Sequence, residues 1–132
     1  MTVLCQQDYT EISVRMTEAV AAGATVHSKV LFPLFKEPGA DYIVDTCTEV
    51  QDHAITTKCG QTIEYDVLVL ATGLSYPIFQ AGEEHPTAES RQGFISELNQ
   101  KIAAANTIVI AGGGAVGCEA AADIKLRHGD KR

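Results

Sequence analysis

Apolar positions along the chain follow two periods, and the switches between them divide it into elements. Met1-Thr-Val-Leu-Cys5 is a short apolar run, polar Gln6-Gln-Asp-Tyr9 follows, and residues 11–22 are helix-permissive up to Gly23, which predicts strand, turn, helix and a glycine stop. Residues 25–32 alternate weakly, and Pro33 with Pro38-Gly39 breaks the pattern. The runs at 42–50, 54–58 and 62–70 are separated by Gln51-Asp-His53 and Cys59-Gly-Gln61, the pattern of a three-stranded meander with short turns. The third run ends in Val67-Leu-Val-Leu70, continuously apolar as in a strand covered on both faces.

A polar stretch with Pro77, Gly82 and Pro86 leads to a predicted helix over 88–106, in which Phe94, Leu98 and Ile102, with Ile95 alongside, form one buried stripe. Residues 107–111 read as a short buried strand, and an alanine-rich helix follows from about 115 to 128 with Gly129 as its stop. A βαβ unit requires a second strand after that helix. None is visible beyond Lys131-Arg132, so the chain reads as a portion of a larger architecture.

Composition narrows the classes of function. The 132 residues carry 17 Asp and Glu against 10 Lys and Arg, a net charge of −7, so no basic patch suits nucleic acid or an anionic membrane surface. No apolar run reaches the roughly 18–20 residues that span a bilayer, and no signal-like segment opens the chain. A cytoplasmic protein is the expectation, with any membrane or mitochondrial association left to a full-length parent. Cys5, Cys47, Cys59 and Cys118 show no metal-binding spacing and read as reduced and structural, behaving as small hydrophobes. The histidines His27, His53, His85 and His128 are scattered and read as surface or core residues.

The strongest motif is Gly112-Gly-Gly114-Ala-Val-Gly117, a G-x-G-x-x-G directly after an apolar strand and at the head of a helix. Gly112 suits the tight turn, Gly114 the approach of backbone to a pyrophosphate, and Gly117 the close packing of helix on strand. The helix N-terminus then offers N–H groups and positive dipole to the phosphates. Glu119, on the second turn of the helix, reads by itself as solvated or locally ion-paired. Ala71-Thr72-Gly73, after the apolar run, is a small-polar-small turn through which backbone can approach a ligand at a sheet edge.

Taken in order, the meander, Tyr65-Asp-Val-Leu-Val-Leu-Ala-Thr-Gly73, the connecting helix and Thr107-Ile-Val-Ile-Ala-Gly-Gly-Gly-Ala-Val-Gly-Cys-Glu119 resemble the two-dinucleotide-binding-domain flavoproteins of the pyridine nucleotide-disulfide oxidoreductase superfamily. Within it they are most similar to the apoptosis-inducing-factor-like branch, which includes the ferroptosis suppressor. The resemblance implies an α/β fold, a partial FAD/NAD(P)-binding Rossmann-like architecture with a β-meander. Its divisions would be a partial FAD-binding domain over 1–74, a linker and helix over 75–106 and the opening of an NAD(P)H-binding domain over 107–132.

It further implies an FAD-dependent NAD(P)H oxidoreductase that passes hydride to flavin and electrons to a quinone-like small molecule. Ala71, Thr72, Gly73 and the backbone of Val50 would then lie at FAD, Gly112, Gly114 and Gly117 at the nicotinamide-nucleotide pyrophosphate, and Glu119 toward the nicotinamide. No general acid or base is expected. Two departures stand against this background: the family's first glycine motif, for FAD, would precede residue 1, and Cys5 stands where the family usually has the acidic residue for the FAD ribose. Alone, the chain is expected to be inactive. The alternative reading is a truncated, non-catalytic nucleotide-binding or interaction fragment, while a stand-alone single-Rossmann dehydrogenase is disfavoured by the meander ahead of the only G-x-G-x-x-G.

Overall fold

The computed structural model describes residues 1–73 and 84–132. Most of the stretch expected to join the two nucleotide units, including Pro77 and Gly82, lies outside the described residues.

The first apolar run forms β1 (Thr2–Cys5), which pairs in parallel with β4 (Asp41–Val44). Between them come β2 (Tyr9–Glu11), a 3-10 turn (Ser13–Arg15), α1 (Met16–Ala22), α2 (Ala24–His27) and β3 (Leu31–Pro33), with β2 and β3 antiparallel. The helix expected over 11–22 is therefore shorter, because Tyr9 to Glu11 are drawn into a strand. Gly23 does end α1, at φ +74 in the left-handed region where a Cβ is disfavoured. The weakly alternating segment after it is part helix and part strand.

The run at 42–50 divides into two strands belonging to different sheets. Its first half is β4 and its second is β5 (Cys47–Val50), which joins β6 (Ala54–Thr57) and β7 (Thr62–Glu64) in the antiparallel order β5-β6-β7. Asp45 makes the corner: its carboxylate accepts the Thr46 N–H at 2.7 Å and the Cys59 N–H at 3.1 Å, an alternative to ladder bonding that short polar side chains offer. Hydrogen bonds from the Thr57 hydroxyl, the Thr46 N–H and the Cys59 N–H hold its pKa at about 2. The expected meander is present, with its third strand ending at Glu64.

Two apolar segments depart from expectation. Residues 67–70 form no strand and are not covered on two faces: Val67 is 80% exposed and Leu70 73%. Residues 107–111 likewise fall outside the assigned strands, with Val109 87% exposed. A continuous apolar run specifies a strand with neighbours on either side, and among the described residues neither segment has a neighbouring strand. Residue 132 nevertheless returns alongside residue 107. The Arg132 N–H donates to the Asn106 carbonyl at 3.2 Å and the Ile108 N–H to the Arg132 carbonyl at 2.8 Å, the bonding of one parallel step.

The two long helices match their patterns. In α3 (Ala88–Ala104), Ile95 and Ile102 are buried and Phe94 and Leu98 are partly so, and Thr87 closes a capping box with Ser90. α4 (Ala115–Arg127) is capped by His128, with Gly129 directly after it where the stop is expected. Met16, Ala19 and Val20 of α1, Val26, Val30, Ile95 and Ile102 make the core, with Ile108 and Ile124 packed partly against it. The cysteines are free, but Cys47, Cys59 and Cys118 are exposed, so only Cys5 suits the buried-hydrophobe reading, and there burial pushes the thiol pKa up.

Candidate nucleotide site and buried ionic cluster

The three motif glycines differ in what surrounds them. Gly112 has φ +119, so its need for glycine is conformational. A Cβ on Gly117 would overlap the Gly112 carbonyl oxygen and press on its carbon at 3.2 Å, so its need is contact between the first turn of α4 and the loop. Gly114, the N-cap of α4, has neither requirement: φ −76 and ψ 179 suit any residue, and a Cβ would meet nothing within 4 Å. No side chain caps this helix, and its first turn has no acidic residue. The first-turn N–H groups therefore face an open space, the arrangement that accommodates an anion. Cys118 closes the first helical bond to the Gly114 carbonyl at 3.0 Å. Glu119 is exposed and forms no ion pair among the described residues.

On the other side, Val50 ends β5 and is half exposed. Ala71, Thr72 and Gly73 are exposed, with Gly73 at φ +72 and open space around a Cβ. No hydrogen bond among the described residues joins Val50 to this turn, or either of them to the glycine loop. Cys5, at the end of β1, turns its thiol toward the Ile43 carbonyl at 3.8 Å.

A charged cluster that sequence reasoning missed joins β2, α2 and α3. Arg91 of α3 is fully buried and bonds both oxygens of Glu11 of β2, each at 2.9 Å. His27 of α2, also buried, donates through Nε2 to the same carboxylate at 3.2 Å, while its Nδ1 has no partner. Burial alone would raise the Glu11 pKa, but the hydrogen bonds from His27 and Arg91, with their charges, outweigh it and hold the carboxyl below its ordinary value. Arg91 also lies over the Phe94 ring, 5.5 Å from its centroid. The signals were available: Glu11 shares a strand face with buried Tyr9, and Arg91 lies one turn before Ile95 on the apolar stripe.

Residues 10–130 match the family described as pyridine nucleotide-disulphide oxidoreductase. The chain is 33% identical over 88 residues to apoptosis-inducing factor homolog B of Dictyostelium discoideum, covering 66% of this chain and 23% of that protein. It is 28% identical over 116 residues to apoptosis-inducing factor 1 of Saccharomyces cerevisiae, covering 80% and 30% respectively. Its fold is similar to that of the sulfide:quinone oxidoreductase of Aquifex aeolicus, with a TM-score of 0.62 at 20% identity over 96% of this chain and 34% of that one. The chain thus spans about a quarter to a third of these relatives' lengths. With a family match over nearly all its residues, the chain belongs to the pyridine nucleotide-disulphide oxidoreductase family.

Proposed function

We propose that this chain contributes the nicotinamide-nucleotide loop and part of the flavin-facing surface of an FAD-dependent NAD(P)H oxidoreductase that delivers electrons to a quinone-like small molecule. The observation that carries the reading is Gly114. Neither backbone conformation nor internal contact requires glycine there, and close approach of a pyrophosphate supplies the missing reason.

The fit of a dinucleotide can be tested against the residues present. Gly112 and Gly117 build the turn, Gly114 leaves its mouth open, and the uncapped α4 N-terminus offers donors to the phosphates. Glu119, on the exposed side of the next turn, would stand toward the nicotinamide. On the flavin side, Ala71, Thr72 and Gly73 present open backbone, and the half-exposed Val50 backbone would stand at the adenine. Cys5 is a poor ribose acceptor, its thiol being directed to Ile43. Flavin would accept hydride and release electrons, while the protein supplies position and electrostatics. No side chain is assigned as general acid or base.

A titration with NADH and NADPH, comparing the wild-type chain with Gly114→Ala, tests the loop. The reading expects unchanged folding and weakened binding of the nucleotide. Equal affinity in both proteins would refute the pyrophosphate assignment. Flavin retention and quinone reduction, assayed in a protein of the relatives' full length carrying this segment, test the larger activity.

A further inference from the structure

We infer that Arg127 and His128, at the end of α4, form a latch on α1 that sets the position of the glycine-loop segment against the N-terminal elements. The Arg127 guanidinium donates to Glu18 Oε1 at 2.9 Å, while Glu18 Oε2 is held by Arg15 at 2.7 Å. One residue on, His128 Nε2 donates to the Ala21 carbonyl at 3.1 Å. That carbonyl also accepts the Asn99 amide of α3 at 2.9 Å, so α3 and α4 meet at one orphan group of the α1 C-terminus. These contacts join positions more than 100 residues apart across the connection between the two parts of the chain.

The remaining contact is poor in apolar area. α4 has no buried residue, Leu126 in its last turn is 81% exposed, and only Ile108 and Ile124 pack partly on the core. Beside the latch is a shallow, solvent-open depression bordered by Ala21, Ala22, Asn99, Leu126, Arg127 and His128. The small side chains bring α4 close to α1, but with no buried apolar residue on α4 and a partly exposed ion pair, apolar interlocking does little to resist sliding. The polar contacts therefore define the closed position of α4, and their loss frees it to shift along α1. Under the nucleotide reading above, on which only this consequence rests, the closed position would fix the separation of nicotinamide and flavin.

The test is hydrogen exchange on the full chain without nucleotide, so that failure of the nucleotide reading leaves the result interpretable. Arg127→Ala combined with His128→Ala is expected to speed exchange over 115–127 by about tenfold while leaving 88–104 unchanged. His128→Gln, which keeps a donor, should stay close to wild type. Glu18→Lys with Arg127→Glu should recover protection lost in Arg127→Glu alone. Unchanged exchange in the double alanine variant, or an equal increase in both segments, would overturn the latch.

Discussion

Arg91 and Glu11, 80 residues apart in sequence, meet through two parallel 2.9 Å hydrogen bonds in a site where the guanidinium has no solvent exposure. The pair fastens α3 to the β2 strand, and α3 carries the chain to the glycine loop. Glu11→Ala would leave a buried cation without its counter-ion. The expected loss is about 3–5 kcal/mol, a large part of what holds a domain of this size together. Urea unfolding measures it, and Glu11→Leu with Arg91→Met should lose much less than the sum of the single changes.

Gly117→Ala is expected to disturb the loop before any ligand is added. Its Cβ meets backbone, the Gly112 carbonyl, which cannot swing aside as the end of a side chain could. The amide resonances of 112–117 should shift in the unliganded protein, and nucleotide affinity should fall with them. In Gly114→Ala the same resonances should stay close to wild type, since nothing within 4 Å opposes that methyl.

Gly73→Ala places a side chain at φ +72, which costs on the order of 1–2 kcal/mol in the left-handed region. Gly73→Asn tolerates that region better but still fills the space in front of the turn. In a full-length protein, lower flavin content in the asparagine variant would report the space, whereas a loss confined to alanine would report the backbone alone.

Acid should destabilise the protein as carboxylates held low by the fold are protonated, Glu11 and Asp45 among them. Glu11 lies below its ordinary 4.5 and Asp45 is at about 2 against 3.8, so both are less readily protonated in the folded chain. Groups depressed on folding contribute stability above their unfolded pKa that is lost as pH falls through the folded value. The melting temperature should therefore drop progressively from about pH 4.5 toward pH 2. Asp45→Asn should flatten the lower part of the curve by removing the carboxylate that accepts at the β4–β5 corner.

The elements most legible in the sequence are those whose signal is local. The apolar stripe of α3, the three glycines ahead of α4 and the turns of the meander all appear where their residues indicate. The division of 42–50 was not legible because Asp45, one polar residue in an alternating run, turns the chain only once the Cys59 N–H reaches it from 14 positions away. The cluster of Glu11, His27 and Arg91 was only partly legible: Glu11 and Arg91 each carry a local cue, in the face shared with Tyr9 and the spacing to Ile95, but only the tertiary fold brings the three within bonding distance. The apolar runs at 67–70 and 107–111 describe the neighbours a segment is built for, which sequence pattern cannot distinguish from neighbours it has.

The most direct test of the account follows the backbone amides of the isotopically labelled chain while NADH is added. Saturable shifts centred on Gly112, Gly113, Gly114 and the first turn of α4, reduced in Gly114→Ala without change in its unliganded spectrum, are the predicted result. Shifts centred elsewhere, or none at millimolar nucleotide, would contradict the assignment of this loop as the nucleotide site.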